Sequence, residues 1–416
     1  MVIAFPTPEY VTNKEFGGLA TYLYKTSKYL KELNHKPVIF LLTNSEGKFE
    51  YEGVEIVKIK RKKYWWFWLV NALTLFTVNS SLLILNNSWA IRSALVAYNR
   101  FNKISIIQYS NAQFLSIVRP VGIPHCLRLS QYYKEYSNYV NARPRSFKNR
   151  QKHLIERICI KQSKNSVYGP SSLIGKMVTD KLKIHVKLIR TPFFNISKNT
   201  SDKFVDTDNR TLLYFGTLSY SKGVDLFAQI LPDILKEYPN INVRFVGRDT
   251  PLVIKDTSIM YKLFEILLFK TRSPLKAKMF SDLIREQTKE YSDRVSFSSV
   301  VKPKEMQSIL NDSDVIILPS RIDNFPNTLS ESLSAGKVVV VPSNSSLDEL
   351  ISNGKNGFVF KNGNSKDLVK KIKVALNLSE SENKIIRQNA SESVKVLYPD
   401  NVVKGDLLSF YHKITS

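Results

Sequence analysis

Cysteine is nearly absent from this chain: 416 residues include only Cys126 and Cys159. Two cysteines cannot form the disulfide framework of a small secreted scaffold, and they fit a reducing compartment. Neither has an obvious histidine partner in sequence, so both are read as structural thiols. Histidine is also scarce, and the five present show no metal-ligand spacing. Neither G-x-G-x-x-G nor G-x-x-x-x-G-K-[ST] occurs, which leaves dinucleotide and P-loop chemistry unsupported. No uninterrupted run of roughly 20 apolar residues offers a membrane span. The opening MVIAFPTPEY lacks the basic and long apolar regions of a signal peptide. Acid is in short supply too: 61 basic residues face 36 acidic ones, a formal charge of +25. Such an excess points to anionic partners (nucleic acid, an anionic membrane face or phosphorylated substrates) without choosing among them, and a lysine-rich composition accounts for part of it. The length is that of two or three domains with ample cores.

The stretch that carries chemistry is DVIILPSRIDNFPNTLSESLSAGKVVVVPSNSSLDE, Asp314 to Glu349. Val315 to Leu318 reads as a buried strand, and Asp323, Asn324, Phe325 and Pro326 as a loop. A helix follows from about Asn327, with Pro326 suited to its beginning, and Gly336 ends it. Val338 to Val341 is the next strand. This is a strand–loop–helix–strand unit of a parallel sheet, whose ligands bind beyond the carboxyl ends of the strands. Asp323 lies in that loop, and Glu331 sits eight residues later on the helix. A diphosphate on the helix start, with a carboxylate on either side to hold hydroxyls, describes a sugar nucleotide. Taken alone, such a pair is more often a turn cap and a solvated helix acid.

The surrounding pattern resembles the donor-binding segment of glycosyltransferase family 4, the retaining GT-B enzymes, whose signature is E-x7-E followed by Gly and a valine-rich strand. The resemblance implies that Glu331 holds the ribose hydroxyls and that Asp323, standing where the family has Glu, contacts the transferred sugar with a reach one methylene shorter. In Leu212-Leu213-Tyr214-Phe215-Gly216-Thr217 and Ser221-Lys222-Gly223 it implies a second junction, G-R-L…K-G, in which Arg and Lys clamp the diphosphate. Lys222 matches, and a helix is expected to start at Ser221. Thr217 replaces the Arg, and Arg248 after Gly247 is the expected substitute. The loop after Val295 to Ser299, at Val300, is expected against the base. The expected donor site therefore comprises Gly216, Thr217, Lys222, Gly247, Arg248, Val300, Asp323, Asn324, Phe325, Asn327, Thr328 and Glu331, with Asp323 and Lys222 carrying the reaction. Asp206-Thr207-Asp208 and Asp312-Ser313-Asp314 resemble the metal-binding D-x-D of another glycosyltransferase class, but neither falls in a suitable loop. No metal or cofactor is expected; the donor, UDP- or GDP-linked, is a substrate.

On the acceptor side the resemblance implicates Gly17 and Gly18, after the first strand, and Arg128 and Ser130, near the end of Pro124 to Ser130. The family often has a His near Ser130; His125 comes too early in the strand to inherit that role. Lys58, Lys60, Arg61, Lys62 and Lys63 precede Tyr64-Trp65-Trp66-Phe67-Trp68-Leu69, and no charged residue occurs from Tyr64 to Ile91. Asn71, Thr74, Thr77 and Asn79 to Ser81 interrupt the run. It fits either an element lying in an anionic bilayer interface, through Lys60 to Lys63 with Trp65, Trp66 and Trp68, or two packed helices with a solvated basic edge. The aromatics are contiguous rather than spaced, which argues against a single-stranded nucleic-acid platform. Arg143, Arg145, Lys148, Arg150 and Lys152 form a second basic stretch. Residues 249–294 are longer than a minimal crossover, with helices expected at Ile259–Phe269 and Leu275–Ile284.

The expected fold is α/β of the GT-B kind, two Rossmann-like domains facing a cleft: residues 1–195 for the acceptor, a linker at 196–210, residues 211–396 for the nucleotide sugar, and a helix over 397–416 crossing back to the first domain. The expected function is retaining, metal-independent transfer of a hexose to a glycan acceptor, lipid-linked, in bacterial surface polysaccharide assembly, by a cytoplasmic protein at the inner membrane face. The competing reading is a non-catalytic GT-B-like protein that binds membrane or nucleic acid through its charge.

Overall fold

The computed structural model describes residues 1–416 except 14–16, 75–76, 141–145, 192–209, 253–277, 302 and 398–399. The expected linker up to residue 209, the Ile259–Phe269 helix, Asp206, Asp208, Arg143 and Arg145 thus lie outside the described residues. The chain divides into two compact units: Met1–Glu135 with Arg145–Phe194 and Tyr398–Ser416, and Tyr136–Pro144 with Asn195–Leu397.

The first unit holds an eight-stranded sheet. Its strands are β1 (Val2–Thr7), β2 (Lys36–Thr43), β3 (Gly47–Tyr51), β4 (Val54–Lys60), β5 (Ile106–Ser110), β6 (His125–Arg128), β7 (Val167–Gly169) and β8 (Lys187–Leu188), in the order β3-β4-β2-β1-β5-β6-β7-β8. Its helices are α1 (Gly18–Glu32), α2 (Trp65–Leu73), α3 (Asn79–Asn99), α5 (Phe147–Gln162) and α6 (Ser172–Leu182), while α4 (Tyr133–Val140) starts in this unit and is assigned to the second from Tyr136. All pairings are parallel except β3 with β4. That edge hairpin was not expected from sequence. Glu52 and Gly53, both at positive φ (47° and 74°), make its turn, a conformation that glycine adopts without penalty. The last helix of the chain, Asp400–Thr415, packs into this unit: Leu407 and Tyr411 are buried with Tyr22, Tyr29 and Tyr168, and Tyr411 Oη bonds Gln108.

The second unit is built on β9 (Arg210–Phe215), β10 (Ile241–Val246), β11 (Val295–Ser298), β12 (Val315–Ile317), β13 (Val338–Pro342) and β14 (Phe358–Phe360), ordered β11-β10-β9-β12-β13-β14 and parallel throughout. Its helices are α7 (Val224–Glu237), α8 (Phe280–Gln287), α9 (Pro303–Asn311), α10 (Asn327–Ser334), α11 (Ser365–Leu376) and α12 (Glu380–Leu397); Asp400–Thr415 is α13. The run Val338–Val341 is fully buried, as a central parallel strand covered on both faces requires. Strand order reverses direction between β9 and β12, so the crevice of this sheet opens beyond their carboxyl ends. Two helix starts differ from expectation. Gly223, at φ +68°, interrupts the segment at Ser221, so Tyr220–Lys222 is a single 3-10 turn and α7 begins at Val224. Of the expected Leu275–Ile284 helix, residues 275–277 lie outside the described residues; the described helix starts at Phe280, where Leu252 N–H donates to Lys278 C=O at 2.7 Å and the Asp282 carboxylate caps Met279 N–H at 2.8 Å.

Glu156 of α5 is 1% exposed, and its carboxylate accepts from Tyr133 N–H (2.7 Å), Lys134 N–H (3.2 Å) and Asn111 Nδ2 (3.2 Å). It thereby caps the start of α4. Burial raises its pKa from 4.5 to about 7, more than these bonds lower it. A carboxyl group raised on folding binds its proton more tightly in the folded state. Folding stability should therefore fall as pH rises from about 4.5 to just above 7, by on the order of 3 kcal/mol. Glu156→Gln is expected to flatten that slope, measured as melting temperature against pH.

Candidate functional site

The donor residues expected from sequence come from different loops but share one sheet edge, because parallel strands end on the same side. Gly216 and Thr217 follow β9, Gly247 and Arg248 follow β10, Val300 follows β11, and Asp323 to Phe325 follow β12. Hydrogen bonds tie the loops together. Tyr214 Oη donates to Thr217 C=O at 2.7 Å, Leu218 N–H to Arg248 C=O at 2.9 Å, and Thr250 Oγ1 to Leu218 C=O at 2.6 Å. The strands are so close here that a Cβ on Gly247 would sit 2.0 Å from the Gly216 carbonyl oxygen. The Arg248 side chain is on the exposed surface and Val300 is 56% exposed.

Lys222 and Asp323, 101 residues apart, form an ion pair through Nζ and Oδ2, with side chains 26% and 12% exposed. Burial alone would lower the Lys222 pKa, but the Asp323 carboxylate outweighs it and the net direction is upward, so the ammonium stays charged. Asp323 Oδ1 also accepts from Asn324 N–H at 2.9 Å.

What brings these two groups together is Arg321, which sequence reasoning passed over. Its guanidinium forms a two-pronged pair with Asp225 (2.6 and 2.7 Å), donates to Tyr220 C=O at 2.7 Å and stacks on the Tyr220 ring at 3.9 Å. Its backbone N–H donates to Ser221 C=O at 2.9 Å. Backbone and side chain together thus strap the turn carrying Lys222 to the loop carrying Asp323. The approach is close enough that a Cβ on Gly223 would lie 1.9 Å from the Pro319 carbonyl oxygen, at a φ of +68° that already favours glycine. Arg321 is therefore committed to this strap.

The loop is braced from the far side by Ser346. Its Oγ donates to Asp323 C=O and accepts from Phe325 N–H, both at 3.0 Å. Phe325 takes φ +63° with its ring buried, a conformation that costs roughly 1–2 kcal/mol for a side chain of this kind. No sequence signal marks Ser346, whereas Arg321 stands two residues before Asp323. α10 starts at Asn327, as expected, with Pro326 as its N-cap, extended at φ −72° and ψ 137°. The N-cap residue makes no side-chain hydrogen bond to the start of α10. Glu331, half-buried, lies one turn further along.

In the first unit, Gly17 caps α1 and Gly18 is its exposed first residue, with open space where a Cβ would be. Arg128 is only 6% exposed. It stacks on Tyr22 at 3.7 Å and donates to Ser130 Oγ (3.1 Å) and Thr191 Oγ1 (3.2 Å). His125 opens β6 at the end away from Ser130, and burial lowers its pKa to about 4, leaving it neutral. Cys126 and Cys159 are buried thiols.

The comparisons fit this geometry. The profile described as "Glycosyl transferases group 1" matches residues 195–392. Over those residues the chain is similar to the group 1 glycosyltransferases. Spore coat protein SA of Bacillus subtilis is 24% identical over 206 residues, 49% of this chain and 49% of that protein, so the chain spans about half the length of that relative. Capsular polysaccharide biosynthesis glycosyltransferase CapM of Staphylococcus aureus is 22% identical over 62% of this chain and 64% of its own. Alpha-monoglucosyldiacylglycerol synthase of Streptococcus pneumoniae is 22% identical over 94% of this chain and 84% of its own. Among solved structures, sucrose-phosphate synthase from Thermosynechococcus elongatus matches with a TM-score of 0.73 at 14% identity, covering 99% of this chain and 98% of that one. The fold is GT-B, as the sequence predicted. In the second unit, Arg321→Met should cost about 3 kcal/mol by stranding Asp225, and Arg321→Lys should not restore it, since a point charge replaces a planar fork. Denaturant midpoints would show both.

Proposed function

We propose that this chain transfers a sugar from a nucleotide diphosphate to a glycan acceptor, with retention at the anomeric carbon. The observation that carries the reading is the Lys222–Asp323 pair at the topological switch point, beside the start of α10. Lys222 and the α10 N–H groups would neutralise the diphosphate as it leaves, charge stabilisation that needs no metal. Asp323 would hold the sugar and Glu331 the ribose. With Thr217 in place of an arginine, Arg248 is the residue proposed to supply the second positive charge. The departing phosphate would take the proton from the acceptor hydroxyl, so no protein base is assigned.

A lipid-linked acceptor at the inner membrane face is the reading best supported by the net charge of +25, together with relatives named for capsule and glycolipid synthesis. The reading in which the chain binds without catalysing rests on two departures, Thr217 and Asp323. A panel of UDP- and GDP-sugars, with nucleotide release and mass spectrometry of lipid extracts as readouts, separates the two. Asp323→Ala should lower kcat by about 100-fold or more, and Glu331→Ala should chiefly raise KM for the donor. Turnover by Asp323→Ala at the wild-type rate would end the proposal; consumption of no donor at all would favour the binding protein.

A further inference from the structure

Helix α2 is inside out. Soluble helices turn their polar face to water, but α2 (WWFWLVNAL) carries no charge, and its large exposed side chains are Trp65 (77%), Trp68 (55%), Leu69 (52%) and Leu73 (75%). At 100° per residue these four form one stripe. Phe67 and Asn71, on the opposite side, are the buried pair. No helix of the described residues is long and apolar enough to cross a membrane, so this stripe is a surface and not part of a span.

The rim of the stripe is basic. Lys60, Arg61, Lys62 and Lys63 line an open hollow of about 740 Å3 at the start of α2, together with Asn44, Glu46 and Tyr64. Glu46 pairs with Lys62 at 3.0 Å, leaving a clear excess of positive charge. Lys63 lies over the Trp68 ring at 4.9 Å, joining charge to aromatic. α5 repeats the pattern next door. Phe147 (60% exposed) and Leu154 (58%) alternate with outward Arg150 and Arg157, while the one acid of α5, Glu156, is buried. Gln151 of α5 accepts from Ser81 Oγ at 2.6 Å and donates to Thr77 C=O at 3.3 Å, which sets α5 beside the corner between α2 and α3.

We propose that the exposed Trp65–Leu73 stripe of α2 seats in the interface of an anionic bilayer, with the Lys60–Lys63 hollow taking lipid phosphates. Interfacial tryptophan beside lysine and arginine is the composition that such a boundary selects, apolar area and counter-charge acting together. A nucleic acid would be matched by the charge but not by a contiguous indole and leucine stripe. The inference deepens the lipid-linked reading above and concerns binding alone, so it can fail while the transfer reaction stands.

All four tryptophans lie between Trp65 and Trp89, so intrinsic fluorescence reports this surface directly. The full chain should shift to shorter emission wavelength, and be quenched by brominated acyl chains, in phosphatidylglycerol-containing vesicles and not in pure phosphatidylcholine. In flotation assays, Trp65→Ser with Trp68→Ser should weaken partitioning by about tenfold or more, and Lys60→Glu with Lys63→Glu by a similar factor. Donor hydrolysis measured without vesicles should be unchanged in both pairs, which separates this test from that of the transferase reading. Wild-type partitioning that neither pair alters would overturn the proposal. So would a dimer in vesicle-free solution that the tryptophan pair dissociates, since a second copy would then cover the stripe.

Discussion

The second unit depends on one contact for its chemistry: the guanidinium of Arg321 gripping Asp225 and the carbonyl of Tyr220. Two loops leave the sheet on either side of its reversal point, one after β9 and one after β12. Nothing in a Rossmann-like framework makes them meet with side-chain accuracy. Here a planar, always-charged group with five donors reaches across and fastens one turn to the other. Gly223 lets the backbones touch, and Ser346 holds the Asp323 loop from behind. The Lys222–Asp323 pair follows from these constraints, because both groups ride on segments that the strap has already brought into register.

Much of the second unit was legible because its signals are local. The apolar run Val338–Val341, the glycines after β9 and β10, and the eight-residue spacing of two acids each reflect one strand or one loop. The resemblance then placed them together. What the residues did not announce were contacts between distant segments. Arg321 looks like any loop arginine until Asp225 is seen opposite it, and Ser346 owes its role to a left-handed φ of 70° that no serine advertises. The same holds for helix starts: Ser221-Lys222-Gly223 has the composition of a helix entrance, yet the left-handed Gly223 sets the true beginning at Val224. The edge hairpin β3–β4 was missed for a plainer reason. Its Glu52-Gly53 turn is a local signal, but the strands on either side are rich in Lys and Glu.

The first unit shows a different balance. Its centre is polar where a core is usually apolar: Arg128 over Tyr22, Tyr22 Oη bonded to Tyr168 Oη and Gln108, and Gln108 in turn to Tyr411. Every member is paired within the group, which is the condition under which buried polar groups specify an arrangement rather than weaken it. At the rim the reverse occurs, and α2 leaves indole and leucine in water. Burying hydrogen-bonding groups while exposing apolar ones runs against the ordinary partition of side chains. The interior case is explained by satisfied bonds, and the exterior case calls for a surface to cover it.

The helix Asp400–Thr415 has a consequence for biogenesis. Tyr411, wholly buried among residues of the first unit, is synthesised after the entire second unit. The amino-terminal sheet therefore emerges from the ribosome early but must wait, with a gap beside Gln108 and Tyr168, while some two hundred intervening residues are made. The unit translated later has all of its own strands available sooner relative to its own completion. Completion of the first unit thus follows translation of the second, and until then the apolar surface that Leu407 and Tyr411 cover is left for a nascent-chain chaperone to bind.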